Sequence, residues 1–314
     1  MDKKSKIYIA GHNGLVGSAL KRKLKESDYN NLVFRTRKEL DLLDSNKVSD
    51  FFKKERPEFV FLAAAKVGGI LANDSYSADF IFQNLLIQNN IIHNSYLNKV
   101  KKLLFLGSSC IYPKDCSQPI KEEYLLTGPL EKTNKAYAVA KIAGIEMCQS
   151  YHKQYKTNFV SVMPTNLYGP NDNFDLKSSH VLPALIRKFH EAKINNDKEV
   201  VIWGTGLPRR EFLYIDDLAE ACLFLMKNYD NSEIINIGTG EDITILELAK
   251  LIKKIVGFNG EIINDTTKPD GTLQKLLNVS KINNIGWRHR IFLEEGLKKT
   301  YEWFLKNYDK ISSC

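Results

Sequence analysis

Short apolar runs alternate with longer stretches of helical period along the first half of the chain. Lys6-Ile7-Tyr8-Ile9-Ala10 reads as a buried strand, and the apolar positions from Leu15 to Lys25 return at helical spacing. Leu32-Val33-Phe34 is a second strand, Ser45 to Arg56 a helix, and Phe59-Val60-Phe61-Leu62-Ala63 a third strand. Phe80 to Leu97 is a long helical stretch, followed by a strand from Lys102 to Leu106, a helix from Tyr137 to Tyr155 and a strand from Phe159 to Met163. This alternation predicts an α/β fold on a doubly wound parallel sheet, because parallel neighbours need a crossover and a helix supplies it. The rhythm loosens after Tyr168-Gly169-Pro170. Asn171 to Trp203 is more polar and loop-rich, with one helix from Val181 to Lys193. Ile234-Ile235-Asn236-Ile237-Gly238 is a further short strand, and Ile243 to Val256 an amphipathic helix. The pattern predicts a large unit over residues 1–170, rejoined by about 214–240, and a smaller C-terminal α/β unit from 171–213 and 241–314.

Composition narrows the class. Of 314 residues, 43% are hydrophobic and 26% charged, which favours a packed core over a disordered chain. The net charge is +8, but the lysines are scattered among carboxylates rather than gathered in a stripe or arm. No nucleic-acid partner is expected, and the surplus suits anionic small molecules such as nucleotides. No apolar run approaches bilayer length, and Met1-Asp2-Lys3-Lys4-Ser5-Lys6 leads into a strand rather than a cleavable signal, so no membrane partner and a cytoplasmic location are expected. Cys110, Cys116, Cys148, Cys222 and Cys314 lack metal-ligand spacing and are too few for a disulfide framework. No metal site is expected, and Cys148 and Cys222 read as core residues.

Gly11-His12-Asn13-Gly14-Leu15-Val16-Gly17 follows the first strand and opens the first helix. Its glycines allow a tight turn and a close backbone approach to a pyrophosphate resting on the helix N-terminus. A dinucleotide is therefore expected, and with it a Rossmann-type sheet. The second strand ends in Arg35-Thr36-Arg37, where an NAD site would more often carry an acidic residue. A cation there suits the 2′-phosphate of NADP; Arg37 is the first candidate and Arg35 the second, against the plainer reading of solvated surface arginines. Asp41 is positioned to cap the adenine edge, and Ala63-Ala64-Ala65 leaves room for a cofactor to pass.

The reactive chemistry lies in Gly107-Ser108-Ser109-Cys110-Ile111-Tyr112 and Tyr137-Ala138-Val139-Ala140-Lys141. Tyr137 and Lys141 share a helix face. An ammonium beside a phenol is expected to lower the Tyr137 pKa and ready it to pass a proton. With Ser108 holding a substrate oxygen, the trio suits oxidation or reduction of a C–O centre. Cys110 adds an acid/base group that plain reduction would not need; its alternative is a small buried strand-end residue. Trp203-Gly204-Thr205-Gly206, ahead of Arg209-Arg210-Glu211-Phe212, offers an indole to stack and a guanidinium to grip a pyrophosphate, against the alternative of a charged surface hairpin. Asp216 and Asp217 read as helix caps. His12, His93, His152, His190 and His289 show no partner in the sequence and read as structural or surface residues.

On these residues the chain resembles the extended short-chain dehydrogenase/reductase superfamily over essentially its whole length. Within it, the likeness is to the branch of nucleotide-sugar enzymes that both epimerise and reduce. The marks are Gly11 to Gly17, Ala63-Ala64-Ala65-Lys66-Val67-Gly68-Gly69-Ile70, Leu106 to Pro113, Tyr137 to Lys141, Pro164-Thr165-Asn166-Leu167-Tyr168-Gly169-Pro170, His180-Val181-Leu182-Pro183-Ala184 and Lys268-Pro269-Asp270-Gly271. The Ser–Tyr–Lys trio marks only the superfamily; Cys110, the His180 segment and the Lys268 segment are more specific.

The resemblance implies a bifunctional NADPH-dependent 3,5-epimerase and 4-reductase that converts GDP-4-keto-6-deoxy-D-mannose to GDP-L-fucose. It implies Ser108, Tyr137 and Lys141 as the reductase trio, with Cys110 and His180 as the acid/base pair. Implied GDP-sugar contacts are Lys188, Trp203, Arg210 and Asp270, with Asn134 and Lys275 behind them; the smaller unit becomes a substrate-binding domain. Implied NADP contacts are Gly11 to Gly17 (Gly11, His12, Asn13, Gly14, Leu15, Val16 and Gly17), Arg37, Asp41, Leu106, Gly107, Ser108, Ser109, Lys141, Pro164, Thr165, Asn166, Leu167 and His180. Relatives commonly pair the two long helices across a two-fold axis, implying a homodimer; the alternative is that these helices only cover the sheet. The branch often carries Arg where this chain has Asn13, which removes one cation from the 2′-phosphate site. Two other readings are a nucleotide-sugar 4-epimerase or 4-reductase, which would need neither Cys110 nor His180, and a non-catalytic dinucleotide-binding regulator, against which the intact trio stands.

Overall fold

The apolar runs of the first half become β1 (Ile7–Ala10), β2 (Leu32–Val33), β3 (Phe59–Leu62), β4 (Lys102–Leu106) and β5 (Phe159–Pro164) in a computed structural model. The structure describes residues 1–312 apart from residue 269. Pro269 of the Lys268 segment and the last cysteine, Cys314, therefore lie outside the described residues.

The later strands are β6 (Asn166–Tyr168), β7 (Glu199–Trp203), β8 (Arg209–Tyr214), β9 (Ile235–Ile237), β10 (Asp242–Thr244), β11 (Glu261–Asp265) and β12 (Gln274–Lys275). The helices are α1 (Leu15–Glu26), α2 (Ser45–Glu55), α3 (Ile70–Ser75), α4 (Ser77–Leu97), α5 (Lys135–Tyr155), α6 (Val181–Asn195), α7 (Ile215–Asn228), α8 (Ile245–Val256), α9 (Ser280–Asn284) and α10 (Leu293–Ser312).

Six strands form the main sheet in the order β2-β1-β3-β4-β5-β9, every pair parallel. The strands read as continuous apolar runs because both faces are covered. Along β1, Ile7 and Ile9 enter the core that α1 and α7 close, while Tyr8 and Ala10 enter the core under α2, α4 and α5. This is the period of two that a pleated strand imposes.

A third apolar cluster joins Leu182, Leu185 and Phe189 of α6, Leu248 and Ile252 of α8, and Phe304 of α10 to Phe212 and Tyr214 of β8. Strand β8 is the seam of this region. It pairs antiparallel with β10 and parallel with β12 and β6.

The structure removes one alternative and corrects two expectations. Strand β7 pairs in parallel with β11 and not with β8, so Arg209 and Arg210 do not belong to a hairpin with Trp203. Asp216 and Asp217 lie in the first turn of α7 but make no cap bond. Asp216 pairs with Arg22 at 2.6 Å, and Asp217 accepts the Arg290 and Ile291 backbone N–H groups, because both carboxylates are drawn to donors on neighbouring segments. The polar stretch 171–203 also carries more regular structure than its composition suggests, since it ends in β7.

Gly11, Ala63, Gly107 and Thr165 each follow the carboxyl end of a main-sheet strand. Ligands of open α/β sheets bind beyond that edge.

Candidate active site

The turn after β1 is built for a close approach. Gly11 has φ +87°, and a Cβ there would lie 2.8 Å from the Ala64 backbone. A Cβ on Gly17 would lie 2.1 Å from the Gly11 carbonyl oxygen, so α1 can reach the turn only without one. Gly14 is the N-cap of α1 and offers no side-chain cap, leaving the first N–H groups of the helix for an anion. His12 is buried beside Phe34, with ring centroids 5.2 Å apart and no hydrogen-bond partner for Nδ1 among the described residues. Burial, and then the Lys21 charge, hold its pKa below the ordinary value. This cradle fits a dinucleotide.

The two arginines after β2 have different fates. Arg35 is engaged by Glu55 and by the Phe34 carbonyl oxygen. Arg37 has a side chain 74% exposed, and its ion-pair partner among the described residues is Asp41, at 3.9 Å. Arg37 is thus the guanidinium open to an incoming phosphate. Asp41 also accepts the Leu43 N–H, and Asn13 is exposed.

Beyond β4 the chain brings four reactive groups together. Ser108 is extended, and its Oγ accepts the Cys110 N–H at 3.2 Å. Ser108 also faces the Tyr137 phenol in the first turn of α5. Phe80 packs edge-on against Tyr137, with centroids 6.4 Å apart. Lys141 Nζ donates to the Leu106 carbonyl oxygen at 2.7 Å and lies 5.8 Å from the Tyr137 ring centroid. Ser109 is buried.

The electrostatics differ from the expectation that Lys141 lowers the Tyr137 pKa. Burial pushes the phenol up, with the neighbouring Cys110 adding to the rise and Ser108 opposing it. Burial also lowers the Lys141 ammonium to about 7. Desolvation dominates both shifts: Lys141 is buried and Tyr137 half-buried, and loss of water disfavours the charged form of each. The phenol therefore stands protonated at neutral pH, as a proton donor must.

This burial has a measurable consequence for stability. The folded Lys141 pKa lies below the ordinary lysine value of ~10.4. The unfolded chain binds more protons between those limits, so the cost is full below pH ~7 and fades as pH rises toward ~10.4. Lys141→Met is expected to raise the melting midpoint of the ligand-free protein at pH 6 by about 2–8 °C. Calorimetry across pH checks this: a variant less stable at pH 6, or a gain that grows with pH, would contradict it.

Cys110 is only partly buried. Its Sγ accepts from Asn134 Nδ2 at 3.4 Å and lies 3.8 Å from Lys275 Nζ. Burial lowers the Arg210 pKa from its ordinary value, and the nearby Cys110 opposes that shift. Arg210 Nη1 donates to the Thr272 carbonyl oxygen at 2.6 Å, and Asn134 Oδ1 is buried without a partner among the described residues. His180 occupies the N-cap of α6 without making a side-chain cap bond; the residue is exposed at the surface, and partial desolvation of its imidazole holds the pKa below the ordinary value. A capping role does not account for it.

The remaining candidates gather on β7, β8 and their connections. Trp203 is half exposed at the end of β7, with Lys188 Nζ and Lys268 Nζ each 5.9 Å from its ring centroid. Asp270 accepts from the Thr205 N–H at 2.9 Å and Thr205 Oγ1 at 2.7 Å, fixing the loop beyond Trp203. Pro164 ends β5, Leu167 lies within β6, and the Thr165 and Asn166 side chains both donate to the Glu211 carbonyl oxygen.

Sequence reasoning missed Glu211 itself and Lys268. Glu211 is fully buried and accepts the Thr239, Gly240 and Leu277 N–H groups, tying the β9–β10 connection and β12 to β8. Lys268 belongs to the Lys268–Gly271 segment, and only the fold brings its Nζ within 5.9 Å of the Trp203 ring centroid. Among the described residues no group of three His, Cys, Asp or Glu is placed to hold a metal, and no helix is long and apolar enough to cross a membrane.

Residues 7–238 match the family described as the NAD dependent epimerase/dehydratase family. The chain is 59% identical over 307 residues to the putative GDP-L-fucose synthase 2 of Arabidopsis thaliana, covering 98% of this chain and 94% of that protein. It is 55% identical over 316 residues to the GDP-L-fucose synthase of Escherichia coli K12, covering 98% of each. Among solved structures, the GDP-mannoheptose C4 reductase of Campylobacter jejuni with NADP bound superposes with a TM-score of 0.90 at 48% identity, over 97% of this chain and 99% of that one.

Proposed function

The chain belongs to the NAD dependent epimerase/dehydratase family, and from that premise we infer a bifunctional NADPH-dependent 3,5-epimerase and 4-reductase that converts GDP-4-keto-6-deoxy-D-mannose to GDP-L-fucose. The observation that carries this reading is Cys110 beside the Ser108–Tyr137 pair, with Asn134 and Lys275 on its sulfur. Plain reduction at C4 gives a thiol there no task.

The chemistry follows from the ketone at C4. It acidifies the protons on C3 and C5, and removal of either puts negative charge on the C4 oxygen. Ser108 and Tyr137 are placed to hydrogen-bond that charge. Cys110 takes a proton from one face and His180 returns one to the other, thiol and imidazole both being side chains that serve as general acids and bases. NADPH, when bound, supplies the hydride. Tyr137 then gives its proton to the C4 oxygen, and Lys141 sits beneath it. One oxyanion site serves all three steps.

The Gly11–Gly17 turn and the N-terminus of α1 would hold the NADP pyrophosphate, with Arg37 at its 2′-phosphate. Lys188, Trp203, Arg210 and Asp270 would hold the GDP-sugar, with residues 171–213 and 241–314 acting as its binding domain. A cytoplasmic location fits this substrate. A homodimer paired through α4 and α5 fits their exposed Phe82, Leu97, Val139 and Tyr155; a monomer in sedimentation would remove that part.

A mass-balance assay in D2O tests the reaction. One NADPH oxidised per product, with one deuterium at C3 and one at C5, is the expected result. Oxidation without deuterium would leave only a 4-reductase, and no oxidation would sink the reading.

A further inference from the structure

The segment Lys66–Ser75 between β3 and α4 has no role in the reaction described so far, yet it touches the surroundings of all the proposed acid/base groups. The Gly69 N–H donates to the Ser178 carbonyl oxygen at 2.9 Å, two residues before His180. Helix α3 packs on the single turn Lys132–Asn134, and Asn134 holds the Cys110 sulfur. Phe80, just beyond the segment, lies within 3.2 Å of where a Cβ on Gly68 would stand, and packs on Tyr137.

Apolar burial does not anchor this segment. Val67, Ile70 and Leu71 are more than half exposed. Polar bonds anchor it instead. Asn73 is buried and donates to the carbonyl oxygens of Gly68 and Gly69 at 2.7 and 3.1 Å. Asn84 exchanges hydrogen bonds with the Lys66 N–H and carbonyl. Gly69 is buried, and a Cβ there would lie 2.7 Å from the Ser179 carbonyl oxygen. That is closer than contacting atoms allow, and the obstacle is backbone rather than a movable side-chain tip.

We propose that Gly69 is a positioning residue for the epimerisation half of the reaction: its N–H and its missing Cβ fix the Ser178–Ser179 backbone, and so set His180 relative to Cys110. Two-face proton transfer needs both groups at defined positions across one sugar ring. Reduction at C4 uses Ser108 and Tyr137, which Gly69 does not touch. Gly69 therefore serves the epimerisation; its only reach into the reduction is through the NADP contact implied for His180, which saturating NADPH removes. The proposal rests on His180 acting as the acid.

The test compares Gly69→Ala, Asn73→Ala and His180→Gln. Deuterium uptake at C3 and C5 is read beside NADPH oxidation with the pre-epimerised ketone. Gly69→Ala should lose about 10- to 100-fold in uptake and keep reduction within about threefold, since a misplacement of ~1 Å costs about that much. Asn73→Ala should show the same split with a smaller loss, and it decides the matter if Gly69→Ala does not fold. Equal losses in both half-reactions, or no loss of uptake, overturn the proposal. If His180→Gln loses uptake while Gly69→Ala keeps it, the acid stands and Gly69 alone falls. If His180→Gln keeps uptake, the reading of the acid fails and the proposal with it.

Discussion

Tyr137→Phe is expected to lower NADPH-dependent ketone reduction by about 10²- to 10⁴-fold, the range for loss of a positioned proton donor. The phenol is the group that Ser108 faces, and burial keeps it protonated. Phenylalanine preserves the ring contact with Phe80 and removes only the O–H. NADPH affinity, measured by equilibrium fluorescence, should change little, because the Gly11–Gly17 turn and Arg37 are untouched. Deuterium uptake at C3 and C5 should also fall, since the same O–H stabilises the enolate oxygen. A variant that reduces the pre-epimerised ketone within about tenfold of the parent would show that another group supplies the proton.

The contrast between what the chain displays and what folding adds runs through this same residue. Tyr137 and Lys141 are four apart, so their shared helix face could be read directly. Their shared desolvation could not, because it depends on Phe105 and Leu106 from β4 closing around Lys141. The Gly11–Gly17 turn was legible for the same reason as the helix pair: every residue it needs lies within one short stretch. Glu211 was not. Nothing in Arg209-Arg210-Glu211 separates a buried carboxylate from a solvated one, and its donors, Thr239, Gly240 and Leu277, are far along the chain. The small strands β11 and β12 are likewise defined by distant partners. Helix α10 was not read from the sequence either, although its signal is local. Leu297, Tyr301 and Phe304 carry a helical period in the sequence and are buried in the structure.

Cys110→Ser should separate the two half-reactions. A serine hydroxyl holds its proton where a thiol can give it up, so the base for C3 and C5 is lost while the geometry is kept. Deuterium uptake at both carbons is expected to fall by about 10²- to 10⁴-fold, and reduction of the pre-epimerised ketone to remain. The surroundings of the sulfur support that separation. Asn134 and Lys275 point at Sγ, whereas Lys141 is engaged by the Leu106 carbonyl oxygen. Replacing sulfur by oxygen leaves the Ser108–Tyr137 pair with its partners. Tyr137→Phe should impair both half-reactions and Cys110→Ser only one, which follows if a single oxyanion site serves both and the thiol serves one. Unimpaired uptake in Cys110→Ser would remove the thiol from the mechanism, and the choice between this reading and a simple 4-reductase would then turn on His180 alone.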